Sequence, residues 1–171
     1  VIYETHVRGY TKDNSSKVDA KGTFQGLREK IPYLKDLGVT TVELMPVYEF
    51  EEMPILKELE IPDYVKWQPE AEDLIQPVVL NNEVKNINYW GYGPGNYFAV
   101  KASYASEPSK ANVEFKRLVK TLHDNGMECV MEIFFPGDTN HNLIMDVLHF
   151  WVKEYHVDGF HIIGDSLPIT S

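Results

Sequence analysis

The chain has 171 residues, 43% of them hydrophobic and 25% charged, which is typical of a globular domain. Its formal net charge of −10 argues against nucleic acid or an anionic membrane surface as a partner, because both attract basic proteins. Cys129 is the only cysteine, which excludes an internal disulfide and a cysteine-based metal site and is compatible with a cytoplasmic location. No apolar stretch reaches the roughly 18 residues of a membrane span.

The first half of the chain predicts a strand, a helix and a second strand. Apolar alternation predicts the first strand over residues 1–10, and a chain that begins inside a strand resembles a piece of a longer protein. Apolar residues at helical spacing predict a helix over 27–37, which Gly38 terminates. The apolar run 39–47 then predicts a second strand, and this order is typical of a parallel sheet.

Residues 48–98 interrupt this alternation. The acidic, proline-bearing part, 48–88, is too long for a plain connection and predicts an excursion with one short helix near 53–59. An aromatic cluster follows at 89–98. The helix and strand patterns then resume, with predicted elements at 111–125 (helix), 127–135 (strand), 142–155 (helix) and 157–163 (strand).

Two parallel folds fit this alternation, a (β/α)8 barrel and an open doubly wound sheet. No phosphate-binding glycine loop follows the first strand, which disfavours a dinucleotide-binding sheet. A barrel usually needs about 250 residues. The chain would therefore supply about the first half of a barrel.

Seven stretches carry motifs that occur together, in this order, in one enzyme family: 2–11, 22–24, 31–40, 43–47, 88–94, 96–98 and 151–160. Together they resemble the α-amylase superfamily of glycoside hydrolases (glycoside hydrolase family 13), especially its pullulanase and debranching-enzyme branch. The resemblance implies a (β/α)8 TIM barrel. Residues 1–171 would form its N-terminal half, strands one to four, with the excursion 48–98 after strand two.

The same resemblance implies retaining cleavage of α-glucosidic bonds by two carboxylates. The family nucleophile is the aspartate of a Gly-Phe-Arg-x-Asp pattern on strand four, while the other acids follow strands five and seven, outside this chain. Here His161 stands in the arginine position and Ile163, which has no nucleophilic atom, in the nucleophile position. Asp165 is the remaining catalytic candidate, but it lies about 6.5 Å further along an extended strand and needs a bulge or a rearranged loop.

The strand-three motif departs from the family pattern as well. Where the family has Asp-x-x-x-Asn-His, this chain has Glu132, Pro136 and Gly137, and His141 comes four residues late. Only residues 138–141 separate this strand from the next helix, so the small domain that the family inserts there, with its calcium environment, is nearly absent. We therefore expect no metal ion and no cofactor.

Four residues are candidates for substrate binding: Tyr92, Trp90, His161 and Glu132. Tyr92 matches a family tyrosine that stacks on a glucose ring, and Trp90 belongs to the same aromatic cluster. Glu132 interrupts an apolar strand, and a buried carboxylate needs a partner, for which His161 on the next strand is a candidate. Each side chain also has a structural explanation, either loop packing or a satisfied polar contact in the core.

Three functional hypotheses remain open at this point. In the first, the chain is a structural or α-glucan-binding domain that no longer hydrolyses glycosides and works with the remaining half of the barrel and further domains. In the second, it belongs to an active debranching-type hydrolase with a rearranged site that uses Asp165 or acids outside this chain. In the third, it is an interaction domain without glucan affinity.

Overall fold

A computed structural model describes residues 1–52 and 87–164 of the chain. Its strands are β1 (Ile2–Thr5), β2 (Thr41–Leu44), β3 (Tyr48–Phe50), β4 (Gly95–Val100), β5 (Glu128–Phe134) and β6 (Gly159–Ile163). Its α-helices are α1 (Val7–Lys12), α2 (Phe24–Glu29), α3 (Ile31–Asp36), α4 (Ala111–Asp124) and α5 (His141–Tyr155). Three short 3-10 helices lie at Asn14–Ser16, Ala102–Tyr104 and Pro108–Lys110. Across these two ranges, none of the helices is long and apolar enough to cross a membrane.

The main sheet has four strands in the order β1-β2-β5-β6, and every neighbouring pair is parallel. Each strand is added beside the preceding one, with helices in the connections, as in the first half of a (β/α)8 barrel. A doubly wound sheet instead reverses its strand order at a switch point. The predicted fold, the first four strands of a TIM-type barrel, is therefore confirmed.

The two faces of this sheet differ because successive side chains of a strand point to opposite sides. On one face, apolar side chains of β2 and β5 are fully buried and belong to the same core cluster as residues from the helices: Val42, Leu44, Cys129, Met131 and Ile133. The opposite face carries Glu43 on β2 and Glu132 on β5. A barrel interior is ordinarily packed with branched apolar side chains, so carboxylates on this inner face stand out.

The first strand is shorter than predicted, because residues 7–12 form helix α1 instead of continuing the strand to residue 10. The cause is His6, whose imidazole caps the helix: Nδ1 accepts a hydrogen bond from the Gly9 backbone N–H at 2.9 Å. A side chain that satisfies a free N–H of the first turn favours a helix start at that point.

The predicted helix over 27–37 is in fact two helices, α2 and α3, which meet at Lys30. Pro32 lies in the first turn of α3 and has no backbone N–H to donate to the carbonyl of Arg28. The Lys30 N–H donates to Arg28 and Leu27 instead, which closes the first helix. The later predicted elements, α4, β5, α5 and β6, agree with the structure to within two residues.

After β2, strands β3 and β4 form an antiparallel two-stranded ribbon, which the sequence did not predict. The buried Lys101 fixes it, because its ammonium donates to Glu49 Oε1 at 2.7 Å and to the Phe50 carbonyl at 2.6 Å. Asn88 N–H donates to the Glu52 carbonyl at 2.8 Å and closes the segment. The helix predicted near 53–59 lies outside the described residues.

Candidate functional site

The candidate site lies on the inner face of the sheet, where three neighbouring strands each contribute a polar side chain. Glu132 on β5 pairs in register with His161 on β6. Glu43 on β2 pairs with Val130, which lies two residues before Glu132 on β5 and therefore on the same face of the sheet. One ligand atom from each of Glu43, Glu132 and His161 lies within 4.8 Å of the others. The parallel register therefore brings two carboxylates and one imidazole together.

Glu132 is the buried member of this cluster, with 1% of its surface exposed. Its Oε2 accepts a hydrogen bond from the Tyr92 hydroxyl at 2.7 Å. Burial raises the pKa of Glu132, and the charges of Glu4 and Glu43 raise that pKa further, while the Tyr92 hydrogen bond and His161 oppose the shift. The carboxyl group is therefore positioned by Tyr92 but poorly stabilised as an anion.

His161 is the exposed member, with 58% of its side chain accessible. Its Nδ1 lies 2.7 Å from Glu43 Oε1, and because a carboxylate only accepts, the imidazole donates. The sequence predicted a pair between His161 and Glu132; they are neighbours in register, but the direct hydrogen bond goes to Glu43. Glu43 was missed, although it interrupts an apolar strand in the same way as Glu132 does.

Tyr92 reaches Glu132 from a loop that is anchored to the ribbon. The Tyr48 hydroxyl donates to the Gly93 carbonyl at 2.7 Å and contacts the Gly91 carbonyl at 3.2 Å. Gly91 has a φ of +83°, and a Cβ there would meet the Phe50 ring at 2.6 Å, so the position requires glycine. The anchored loop leaves Tyr92 38% exposed beside the site.

Trp90 is more exposed, at 52%, and belongs to an aromatic group around His6. Tyr89 stacks on the His6 imidazole with ring centroids 4.3 Å apart, and Trp90 packs edge-on against Tyr89 at 5.1 Å. His6 is buried, and its Nε2–H donates to the Tyr89 carbonyl at 2.9 Å. Trp90 therefore packs against one buried ring, that of His6, and one exposed ring, that of Tyr89.

The end of β6 is regular at Ile163, the residue that the sequence resemblance aligns with the family nucleophile. Ile163 pairs with Phe134, and its carbonyl accepts the Phe135 N–H at 2.8 Å. A Cβ on Gly164 would lie 2.0 Å from the Phe135 carbonyl oxygen, so the two chains are in close contact one residue further on. Strand β6 has no bulge between His161 and Ile163 that would shift a later residue back into the nucleophile position. Asp165, the remaining catalytic candidate, lies outside the described residues.

The connection from β5 to α5 is a short turn at residues 135–140. Thr139 N–H donates to the Pro136 carbonyl at 2.9 Å, and Asn140 caps the helix by accepting the Asn142 N–H at 2.8 Å. Pro136 and Gly137 thus belong to a turn, where the family motif has asparagine and histidine. The near absence of an inserted domain remains a prediction from the sequence.

Chemically, the cluster can hold a proton or a cation between its carboxylates, and its aromatic neighbours can contact a sugar ring. Of the four predicted substrate-binding residues, the structure brings Glu132, His161 and Tyr92 together, with Trp90 two residues from Tyr92 in the chain. A sugar-binding role for these residues stays a prediction.

Comparison with known proteins shows which family the chain resembles. A family model described as alpha amylase, catalytic domain, matches residues 10–142. The chain is 32% identical, over 220 aligned residues, to the chloroplastic isoamylase 1 of Arabidopsis thaliana, and 34% identical, over 180 residues, to Pullulanase A of Streptococcus pneumoniae. Both alignments include the whole chain but cover only 26% and 12%, respectively, of these relatives.

A solved structure shows the same fold. The pullulanase of Paenibacillus barengoltzii, in complex with maltohexaose and α-cyclodextrin, superposes with a TM-score of 0.66 at 25% sequence identity. The superposition covers 95% of this chain and 30% of the pullulanase chain. Since the family match extends over well more than half of the residues, the chain belongs to the alpha-amylase catalytic-domain family, of whose (β/α)8 barrel it forms the N-terminal part.

Proposed function

We propose that this chain is an α-glucan-binding barrel segment that does not supply the nucleophile of glycoside hydrolysis. The observation that carries the proposal is Ile163, which occupies the nucleophile position at the end of a strand in regular register. Retaining hydrolysis requires a carboxylate that attacks the anomeric carbon, and an alkyl side chain cannot do so.

Glu132 does not replace the missing nucleophile. Glu132 lies on the neighbouring strand β5, in register with His161 and therefore two residues before the level of Ile163, so its carboxylate is not at the nucleophile position. Its Oε2 is also engaged by the Tyr92 hydroxyl. We assign Glu132 the role of holding Tyr92 in place, so that the tyrosine ring can pack against a sugar.

The relatives support an α-glucan as ligand. Isoamylase and pullulanase are the names of the similar proteins, and the similar pullulanase structure contains maltohexaose and α-cyclodextrin. In this chain, the exposed rings of Tyr92 and Trp90 offer the apolar surface on which the face of a glucose ring packs. The acidic residues of the inner face offer hydrogen-bond acceptors to sugar hydroxyls.

Binding is tested by isothermal titration calorimetry of the full-length protein with maltoheptaose. We expect Tyr92→Ala to weaken binding by about 10-fold or more, because a ring contact is worth roughly 1–3 kcal/mol. Tyr33→Ala is the matched control, since Tyr33 is a 55% exposed tyrosine on α3, away from the inner face. Equal effects of the two substitutions would remove Tyr92 from the binding site, and no heat with the wild type would favour an interaction domain without glucan affinity.

Hydrolysis is tested by the release of reducing ends from pullulan, amylopectin and maltooligosaccharides. We expect no turnover that depends on this site. The competing proposal is an active debranching-type hydrolase that uses Asp165, which follows β6 by two residues. Turnover that is abolished by Asp165→Asn would establish that alternative and refute ours.

A further inference from the structure

The inner face of the sheet gathers negative charge around a buried carboxylate. In the described part of the chain, a second carboxylate, that of Glu43, and the imidazole of His161 each place a ligand atom within 4.8 Å of a carboxylate oxygen of Glu132. Glu132 is 1% exposed and receives a hydrogen bond from a neutral hydroxyl, that of Tyr92. A buried anion is costly unless a cation compensates its charge. This imbalance indicates that a cation belongs beside Glu132.

The neighbouring side chains already have the composition of a metal site. The ligand atoms of Glu43, Glu132 and His161 lie within 4.8 Å of one another. Two atoms that each bind a metal at about 2.1 Å are at most about 4.2 Å apart, so a shift of less than about 1 Å would close the three around one ion. Because each ligand is on a different strand of one sheet, the backbone holds the set rigidly.

The hydrogen bond from Tyr92 strengthens this assignment. It engages Oε2 of Glu132 and so orients the carboxylate. Carboxylates that bind metal ions are commonly oriented by such hydrogen-bond partners outside the ligand set. His161 supplies the chemical distinction from the family motif, because it stands where that motif has arginine. A guanidinium has donors only and cannot bind a metal, whereas an imidazole can. The site is therefore a property of this chain rather than of the motif.

We infer that Glu43, Glu132 and His161 bind one divalent transition-metal ion. Imidazole with two carboxylates suits Zn²⁺ and related ions, whereas Ca²⁺ and Mg²⁺ prefer all-oxygen sites. Three protein ligands leave a coordination position open to water or to a ligand hydroxyl. The inference does not depend on glucan binding, and it departs from the sequence prediction that no metal is bound.

The test is calorimetric titration of the metal-free, full-length protein with ZnCl₂ in the absence of sugar. We expect one Zn²⁺ equivalent whose affinity falls by about 10-fold or more in His161→Ala and in Glu132→Gln. Glu132→Gln keeps an oxygen that can accept the Tyr92 hydrogen bond, and His161 is 58% exposed, so both variants should fold. His149→Ala, an exposed histidine on α5, is the matched control and should bind Zn²⁺ like the wild type.

Two results would overturn the inference. The first is Zn²⁺ binding that is unchanged in both His161→Ala and Glu132→Gln, and the second is a wild type that binds no Zn²⁺. Thermal unfolding without metal confirms that the variants are folded. Since the maltoheptaose titrations are separate, loss of metal binding and loss of glucan binding remain distinguishable.

Discussion

The hydrogen bond between Tyr92 and Glu132 couples the aromatic loop to the sheet, and its strength can be measured. We predict that Tyr92→Phe destabilises the barrel domain because it keeps the ring and removes only the hydroxyl that donates to Oε2 at 2.7 Å. The carboxylate left behind is 1% exposed and loses a donor in an environment that already disfavours its charge.

The magnitude follows from the two partners. A hydrogen bond to a charged group contributes about 1.5–3 kcal/mol net. Tyr92 is itself 38% exposed, so water replaces part of the missing contact, and we expect a loss near 2 kcal/mol. In a Glu132→Met background the buried charge is absent and the hydroxyl of Tyr92 has no anionic partner, so Tyr92→Phe should cost less than about 0.5 kcal/mol.

Urea unfolding of the wild type, the two single variants and the double variant gives the coupling energy between the two residues. We expect about 1.5 kcal/mol, with Glu132→Met alone neutral or stabilising. If Tyr92→Phe cost the same in both backgrounds, to within about 0.5 kcal/mol, the two groups would be energetically independent and our account of Glu132 would be wrong.

Three further predictions concern the surrounding fold. Burial lowers the pKa of His6 from 6.5, so the unfolded chain binds a proton at this imidazole more readily than the folded chain does. The free energy of unfolding should therefore be highest above pH 6.5 and should fall as the pH drops from 6.5 towards the lowered pKa. His6→Asn, which retains a capping side chain, should flatten this slope in urea titrations between pH 8 and 5, and an unchanged slope would exclude His6 as its source. Trp151→Phe should cost about 2–4 kcal/mol in urea unfolding, because Trp151 is fully buried and donates to the Tyr97 carbonyl at 2.8 Å; a loss below about 1 kcal/mol would contradict this role. Gly164→Ala should destabilise more than Gly38→Ala in the same assay, since its Cβ would meet the Phe135 carbonyl oxygen at 2.0 Å, whereas Gly38 faces open space and carries only the cost of a φ of +79°, about 1 kcal/mol. Equal losses would mean that the backbone at the end of β6 can shift away from Phe135 at little cost in free energy.

The elements that the sequence predicted well are those whose pattern is local and repeated. Helix α4 buries Phe115, Leu118 and Leu122 at helical spacing, and the apolar run of β5 has the composition of a strand in a parallel sheet. Helix α1 was missed because one histidine, His6, decides where the first strand ends. The break between α2 and α3 follows from Pro32, whose effect the apolar spacing concealed.

The candidate site could be predicted only in part, because it depends on register between distant strands. Glu132 and His161 were recognised from their neighbours in the chain, and their alignment across β5 and β6 agrees with that expectation. Glu43 joins them from β2 through the pairing of β2 with β5, which no local pattern specifies. The same holds for Tyr92, which the ribbon of β3 and β4 carries to Glu132 from a loop far away in sequence.

The ribbon of β3 and β4 also has a consequence for how this domain can change over generations. Its closing contacts, from Lys101 to Glu49 and from Asn88 to Glu52, hold the two ends of residues 53–86 together independently of what lies between them. Doubling the length of a flexible loop costs only about 0.6 kcal/mol of closure entropy. Glu52 and Asn88 thus form a pair of fixed, adjacent attachment points, between which the length of the chain can change without disturbing the ribbon.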